Sequence, residues 1–227
     1  MQGPAFQDRF TAGRVLAEHL AHHGHRPNTR VLALPRGGVP VGYEVARMLG
    51  APLDVFIVRK LGTPGHEELA MGAIATGGVR VLNPEVIDEA GILPEQIDEV
   101  AEREGQELRR REAHYRQGRP ALDVRGRNVI LVDDGLATGS SMRAAVTALR
   151  ELGPARIIVA VPVAPLETCE SIEALADETV CARTPEPFFA VGLWYRQFEQ
   201  TSDEEVRALL ERAARESGMD LEQPGLP

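Results

Sequence analysis

The sequence predicts an α/β fold, a central parallel β-sheet flanked by helices, and three observations carry that prediction. Short, almost wholly apolar runs recur along the chain (RVLALP, LDVFIV, NVILV, RIIVAVP), as in strands buried on both faces. Stretches with helical periodicity lie between them. The connections are short, so successive strands run parallel through helical crossovers.

The elements follow in order. Phe10–His23 carries Val15, Leu16 and Leu20 on one helical face. Arg30–Pro35 is a buried strand entered from the turn-rich RPNT. Gly37-Gly38 leads into VPVGYEVARMLG, a helix with Pro40 near its first turn, where proline is tolerated. Leu53–Val58 is the next strand. Arg59–Gly72 is glycine-rich and charged, and is expected to be a mobile loop. AIAT and VRVL, joined by Gly77-Gly78, form a hairpin. Pro94–Gly118 is a long charged surface helix with a thin apolar stripe of Ile97, Ala101, Leu108 and Tyr115. Its Glu99/Arg103 and Glu107/Arg111 pairs are spaced to meet. Asn128–Val132, Arg156–Pro162 and Glu178–Cys181 are further strands, separated by helices at Ser140–Leu152 and Pro165–Ala176. Ser202 with Glu205 is a capping box, and Leu209 and Leu210 anchor the last helix. The tail from Gly218 to Pro227 is expected to fray.

Composition narrows the function. Hydrophobic residues make up 43% and charged residues 26% of 227 residues, enough for one ordinary globular core. Twenty-five basic against 34 acidic residues give a net charge of −9, which argues against a general nucleic-acid binder. The N-terminus has no apolar signal core, and no run is long enough to span a bilayer, so no membrane partner is expected. Cys169 and Cys181 show neither metal-like spacing nor a disulfide framework. They read as buried reduced thiols in a cytoplasmic protein.

The chemistry concentrates in VILVDDGLATGSS, Val129–Ser141. Ligands of such folds sit at the carboxyl ends of the strands, where Asp133 and Asp134 stand. Adjacent carboxylates repel, so a metal ion or a set of hydroxyl donors such as a sugar diol must offset them. Thr138, Gly139, Ser140 and Ser141 then offer backbone N–H groups and hydroxyls at a helix start, which suits a phosphate. Neither a Walker loop nor the dinucleotide fingerprint is present. A diol site beside a phosphate site describes ribose 5-phosphate. A plain strand and capped helix would explain one aspartate and one serine, but not the whole set.

This stretch resembles the signature of type I phosphoribosyltransferases. The resemblance extends from about Arg30 to about Tyr195 and includes LPRGG (Leu34–Gly38) and VRKLGTPGHEE (Val58–Glu68). The wider pattern looks like a bacterial subfamily of generic phosphoribosyltransferases. It implies a single domain over residues 1–217, with a core at about 10–60 and 125–182. A flexible loop and inserted hairpin and helix would occupy about 61–124, and a small hood about 183–202. It further implies that Asp133 and Asp134 hold the ribose hydroxyls of phosphoribosyl pyrophosphate (PRPP). Ala137, Thr138, Gly139, Ser140 and Ser141 would cradle the 5-phosphate. Arg36, Gly37 and Gly38 would form the pyrophosphate loop, often bent through a cis peptide. Arg59 and Lys60 would reach the leaving group from a catalytic loop that also holds His66 and Glu67.

The implied reaction transfers ribose 5-phosphate from PRPP to an acceptor such as a nucleobase and releases pyrophosphate. Mg²⁺ would arrive with PRPP rather than sit in a protein cage, with Asp133 and Asp134 touching it at most through water. Phe188 or Phe189 would stack on the acceptor while backbone at Ala190 and Val191 reads its edge. The strand RIIVAVPVAP lacks the lysine that pairs with the oxo group in 6-oxopurine enzymes of the family, which counts against that acceptor class. Family members often form homodimers. Two rival readings keep the aspartates and change the chemistry: a non-catalytic PRPP-binding regulator, and a phosphohydrolase with Asp133 as nucleophile.

Overall fold

The computed structural model describes residues 5–121 and 123–217. Its main sheet has five parallel strands in the order β2-β1-β6-β7-β8. These are β1 (Thr29–Ala33), β2 (Leu53–Val55), β6 (Asn128–Val132), β7 (Arg156–Val163) and β8 (Glu178–Arg183). Side chains alternate between two cores. Val31, Ala33, Ile130, Val132, Ile158 and Ala160 face one side, and Leu32, Val129, Leu131, Ile157 and Val159 the other. The first core is closed by α1 (Arg9–His19), α2 (Gly38–Leu49), α4 (Pro94–Arg116) and α7 (Asp203–Glu216). The second is closed by α5 (Ser140–Glu151) and α6 (Leu166–Glu173). With apolar layers on both faces, the runs read from the sequence had to be nearly continuous.

A second sheet of three antiparallel strands, β3 (Val58–Thr63), β4 (His66–Ala75) and β5 (Val79–Leu82), sits beside the first. It corrects two expectations. The run Leu53–Val58 is not one strand: β2 ends at Val55, and Phe56 and Ile57 fill the space between the sheets. The stretch Arg59–Gly72 is not an unstructured loop but the β3–β4 hairpin, with its turn at Gly65. Its glycines serve close packing. A Cβ on Gly62 would lie 2.7 Å from Glu67 O, and one on Gly72 would lie 2.4 Å from Val81 O. The β4–β5 hairpin expected at Gly77-Gly78 is present, pairing Ala75 with Val79.

A short helix, α3 (Pro84–Ala90), lies between β5 and α4; Asn83 Oδ1 accepts from Val86 N at its start, and Gly91 closes it in the left-handed conformation. On α4, Glu107 meets Arg111 at 2.8 Å as expected, whereas Arg103 turns to Glu104 instead of Glu99. Ser202 caps α7 by accepting from Glu205 N, and Leu209 and Leu210 are buried. Cys169 and Cys181 are not free thiols. They are joined as a disulfide between α6 and β8, and the argument for a reducing compartment goes with them. The C-terminal tail from Gly218 lies outside the described residues. Among the described residues, no helix is long and apolar enough to cross a membrane.

Candidate active site

The strand order creates the site. From β1 the chain crosses over α2 to β2 on one side, and from β6 it crosses over α5 to β7 on the other. The crevice between β1 and β6 is therefore the topological switch point, where open α/β sheets bind ligands. The two strands pair through Ala33↔Val132, and Leu34 N donates to Val132 O at 2.8 Å. That register places the loops following them, Pro35–Gly38 and Asp133–Ser141, side by side.

The two loops interlock through glycine. A Cβ on Gly37 would stand 2.1 Å from Asp134 Oδ2. One on Gly38 would stand 2.8 Å from Val132 O and 2.9 Å from Asp133 Cα. Only hydrogen at these positions lets the Arg36 loop lie against the acidic pair. The Pro35–Arg36 peptide is cis, in keeping with the resemblance. Arg36 extends toward Asp203, 3.7 Å away at the start of α7.

The acidic pair is held from its own backbone and from far away in the chain. Asp134 N donates to Asp133 Oδ1 at 2.8 Å. Burial, and then the charge of Asp134, push the Asp133 carboxyl well above its ordinary value. Burial pushes Asp134 up as well, opposed by a charge-assisted hydrogen bond from Arg9 Nε to Asp134 Oδ2 at 2.8 Å. Arg9 also donates to Glu199 O at 2.7 Å and lies 3.9 Å over the Phe198 ring. Tyr195 O–H donates to Asp134 O at 2.5 Å, and its ring stacks on Phe198 at 5.0 Å. The hood is thereby tied to the acidic pair. Gly135 fits under it, since a Cβ there would meet Val191 Cγ1 at 2.6 Å.

Beyond the aspartates, Leu136 anchors the loop in the core and donates its N–H to Val163 O. Thr168 Oγ1 donates to Ala137 O at 2.9 Å, and Gly139 takes a left-handed φ of 73° that L side chains rarely adopt. Gly139 is the N-cap of α5 and offers no side chain to the first turn, where Ser140 N makes only a long bond to Thr138 Oγ1 at 3.5 Å. Ala137, Thr138, Ser140 and Ser141 are exposed, with the Thr138 and Ser140 hydroxyls 3.0 Å apart. A helix start of this kind, with hydroxyls around it, has the donors that an anion requires.

A cavity of about 520 Å³ opens beside Asp134 and the Arg36 loop. Its far wall is α4, which contributes Arg110, Arg111 and Tyr115. Glu107, held down to a pKa of about 2 by hydrogen bonds from Arg110 and Arg111, orients both guanidinium groups. Arg59 and Lys60 do not line this cavity. Arg59 Nε donates to Glu104 Oε2 at 2.7 Å, and exposed Lys60 lies 3.4 Å from Glu68. His66 and Glu67 are exposed at the start of β4.

In the hood, the two candidate stacking residues separate. Phe188 packs against Trp194 with ring centres 6.4 Å apart, while Phe189 is 77% exposed. Ala190 is exposed and Val191 partly buried. Sequence reasoning does not single out Arg9, Arg110 or Arg111. Arg9 is 125 residues from Asp134, and an arginine on a charged surface helix has no local signature.

A family model described as "Phosphoribosyl transferase domain" matches residues 7–195, and the chain belongs to that family. A protein of Mycobacterium tuberculosis named "Putative phosphoribosyl transferase Rv0571c" is 47% identical over 93% of this chain. The chain spans about half the length of the curated relatives it matches at this level, 47% of the protein just named. The crystal structure of TT1426 from Thermus thermophilus is 46% identical, superposes with a TM-score of 0.80, and covers 91% of this chain and 98% of that one. The "Bifunctional protein PyrR" of Chloroflexus aurantiacus is 33% identical over 56% of this chain and 65% of its own length.

Proposed function

We propose that the chain is a Mg²⁺-dependent phosphoribosyltransferase that moves ribose 5-phosphate from PRPP to a small-molecule acceptor, a nucleobase being the favoured class. One observation carries the reading: the glycine-lined Arg36 loop closes on an adjacent aspartate pair, next to an uncapped helix start rich in hydroxyls. A polyanion, a diol and a phosphate are the chemistry these three parts accept together.

In this reading Asp133 and Asp134 accept hydrogen bonds from the ribose 2- and 3-hydroxyls. Residues 137–141 hold the 5-phosphate. The N–H group of Gly37 and the cations of Arg36, Arg110 and Arg111 receive the pyrophosphate, while Gly38 N stays bonded to Leu34 O and holds the loop's turn. The acidic pair suits a divalent ion, since burial and repulsion already disfavour two free carboxylates. Bound Mg²⁺ would neutralise developing charge on the leaving group. The oxocarbenium-like ribose leaves its diol tightly held while the C1 bond to pyrophosphate lengthens. Arg59 and Lys60 act once the β3–β4 hairpin swings over the cavity, which also excludes water. Exposed Phe189 offers its face to a planar acceptor, with backbone at Ala190 and Val191 reading the edge. A homodimer fits the family habit.

A second reading, a PRPP-binding regulator without turnover, is favoured by the pairing of Arg59 with Glu104 and Lys60 with Glu68, away from the cavity. A phosphohydrolase using Asp133 is disfavoured, because burial and Asp134 draw that carboxyl toward its protonated, non-nucleophilic form. The test is pyrophosphate release from Mg²⁺–PRPP with pooled purine and pyrimidine bases. Base-dependent release supports the transferase. PRPP binding without release, abolished in Asp134→Asn, supports the regulator. No PRPP binding overturns both.

A further inference from the structure

At the opposite end of the sheet from these loops, three metal-ligating side chains converge. His22 and His23 belong to the 3₁₀ turn Ala21–His23 that follows α1, and Glu178 is the first residue of β8. His22 Nε2 lies 3.0 Å and His23 Nε2 3.1 Å from the same carboxylate oxygen, Glu178 Oε1. One ligand atom from each residue falls within 4.8 Å of the others. His23 is 2% exposed and fixed by packing, whereas the His22 side chain is 56% exposed. We propose that His22, His23 and Glu178 bind a divalent transition ion of the zinc class through two imidazole nitrogens and one carboxylate oxygen, with solvent completing the shell on the open side.

The spacing is close to what such an ion needs. Ligand atoms about 2.0–2.2 Å from a tetrahedral ion stand roughly 3.4 Å apart. The nitrogen-to-oxygen separations here need to open by only a few tenths of an ångström. The donor set selects the ion class: imidazole with carboxylate suits zinc, cobalt or nickel, whereas magnesium and calcium prefer all-oxygen shells. Arg156 lies 3.4 Å from the other carboxylate oxygen, Oε2, so it can orient Glu178 while leaving Oε1 for the ion. Both histidines turn Nε2 to this one carboxylate, His22 to Oε1 at 3.0 Å and His23 to Oε1 and Oε2 at 3.1 Å each, so two imidazoles and a carboxylate share one small volume.

The site is independent of the ribose phosphate pocket. The 11-residue helix α1 separates them, about 16 Å of rise at 1.5 Å per residue. Its first residue, Arg9, is bound to Asp134, and an ion at its far end would fasten the turn after α1 to the edge strand β8.

The test is calorimetric titration of Zn²⁺ into the untagged full chain with Mg²⁺ in excess, alongside His22→Ala, Glu178→Gln and Asp134→Asn. One equivalent should bind with a Kd below about 10 µM, weaker than four-ligand structural zinc sites. His22→Ala and Glu178→Gln should each weaken it at least about 100-fold, since even outer-shell changes cost roughly 10–100-fold. Asp134→Asn should leave it unchanged. Zn²⁺ should raise the Tm of wild type and of Asp134→Asn only. Should Glu178→Gln fail to fold, His22→Ala, whose side chain is 56% exposed, decides the outcome. Absence of stoichiometric uptake, uptake that survives His22→Ala, or uptake lost in Asp134→Asn overturns the proposal.

Discussion

Adding one methyl group at Gly37 should separate ligand binding from folding. The Cβ of Gly37→Ala would fall 2.1 Å from Asp134 Oδ2, against an ordinary contact of 3.4 Å. The carboxylate must therefore retreat by 3.4 − 2.1 = 1.3 Å, which breaks its 2.8 Å bond from Arg9. Loss of a hydrogen bond to a charged group costs about 1.5–3 kcal/mol. The structure thus predicts roughly 10- to 150-fold weaker binding of Mg²⁺–PRPP by calorimetry. The colliding atom ends a side chain that can turn toward the open cavity, so the Tm should fall less than for a clash with backbone. Gly38→Ala is the contrast. Its Cβ would strike Val132 O and Asp133 Cα, backbone atoms at the carboxyl end of the central strand β6. That should cost about 1–3 kcal/mol in overpacking. At about 2–4 °C per kcal/mol for a chain of this size, a clear loss of Tm follows. If Gly37→Ala binds PRPP within about twofold of wild type at the roughly 1.4 kcal/mol-per-decade scale of affinity, the interlocked-loop account is wrong.

Three further outcomes follow from the same geometry. Asp133 has a folded pKa raised above its ordinary 3.8, so its contribution to stability is full below that value and is lost as pH rises through the folded pKa. The carboxylates held low elsewhere, such as Glu107 and Asp177, work in the opposite sense, so the effect is read as a difference: the Tm of ligand-free Asp133→Asn should gain on wild type as pH rises above about 4. A difference that does not change with pH would count against it. Arg116→Met would remove the guanidinium that pairs with buried Asp54 at 3.0 Å, while Val55 N still donates to Asp54 Oδ1, at a cost of about 1.5–3 kcal/mol. Thermal melts should then drop by roughly 3–12 °C, and a shift under about 2 °C would remove the pair from the stability argument. Phe189→Ala should raise the acceptor KM by roughly 5- to 150-fold, the equivalent of a 1–3 kcal/mol stacking contact, with PRPP affinity and Tm preserved. Loss of PRPP affinity instead would move Phe189 out of the acceptor site.

What the sequence discloses is local. The strand Asn128–Val132 and the helix beginning at Ser140 have their expected boundaries, because an apolar run, a turn and a helix start lie in one short stretch. The Arg36 loop is legible for the same reason, and its contact with Asp134 follows from the β1–β6 register. What tertiary apposition decides is not legible. Arg9 reaches Asp134 across 125 residues, and Cys169 meets Cys181 because α6 packs on β8. The β3–β4 hairpin reads as a mobile loop because Gly62 and Gly72 suggest flexibility. Both in fact admit a neighbouring backbone. The helix α3 does carry signals, Asn83-Pro84 at its start and Gly91 at its end, but seven residues with no buried side chain leave little periodicity to read. The separate fates of Phe188 and Phe189 depend on where Trp194 falls.

The central claim is that the loop Ala137–Ser141 holds the 5-phosphate while the Arg36 loop holds the pyrophosphate. Phosphorus NMR of Mg²⁺–PRPP, titrated with wild type, Thr138→Ala and Arg36→Ala, tests it most directly, because the phosphate and diphosphate resonances are read separately. The account predicts that wild type shifts or broadens both sets, that Thr138→Ala relieves the 5-phosphate signal, and that Arg36→Ala relieves the diphosphate signals. A 5-phosphate resonance unmoved by wild type, or perturbed equally by Thr138→Ala, would contradict it.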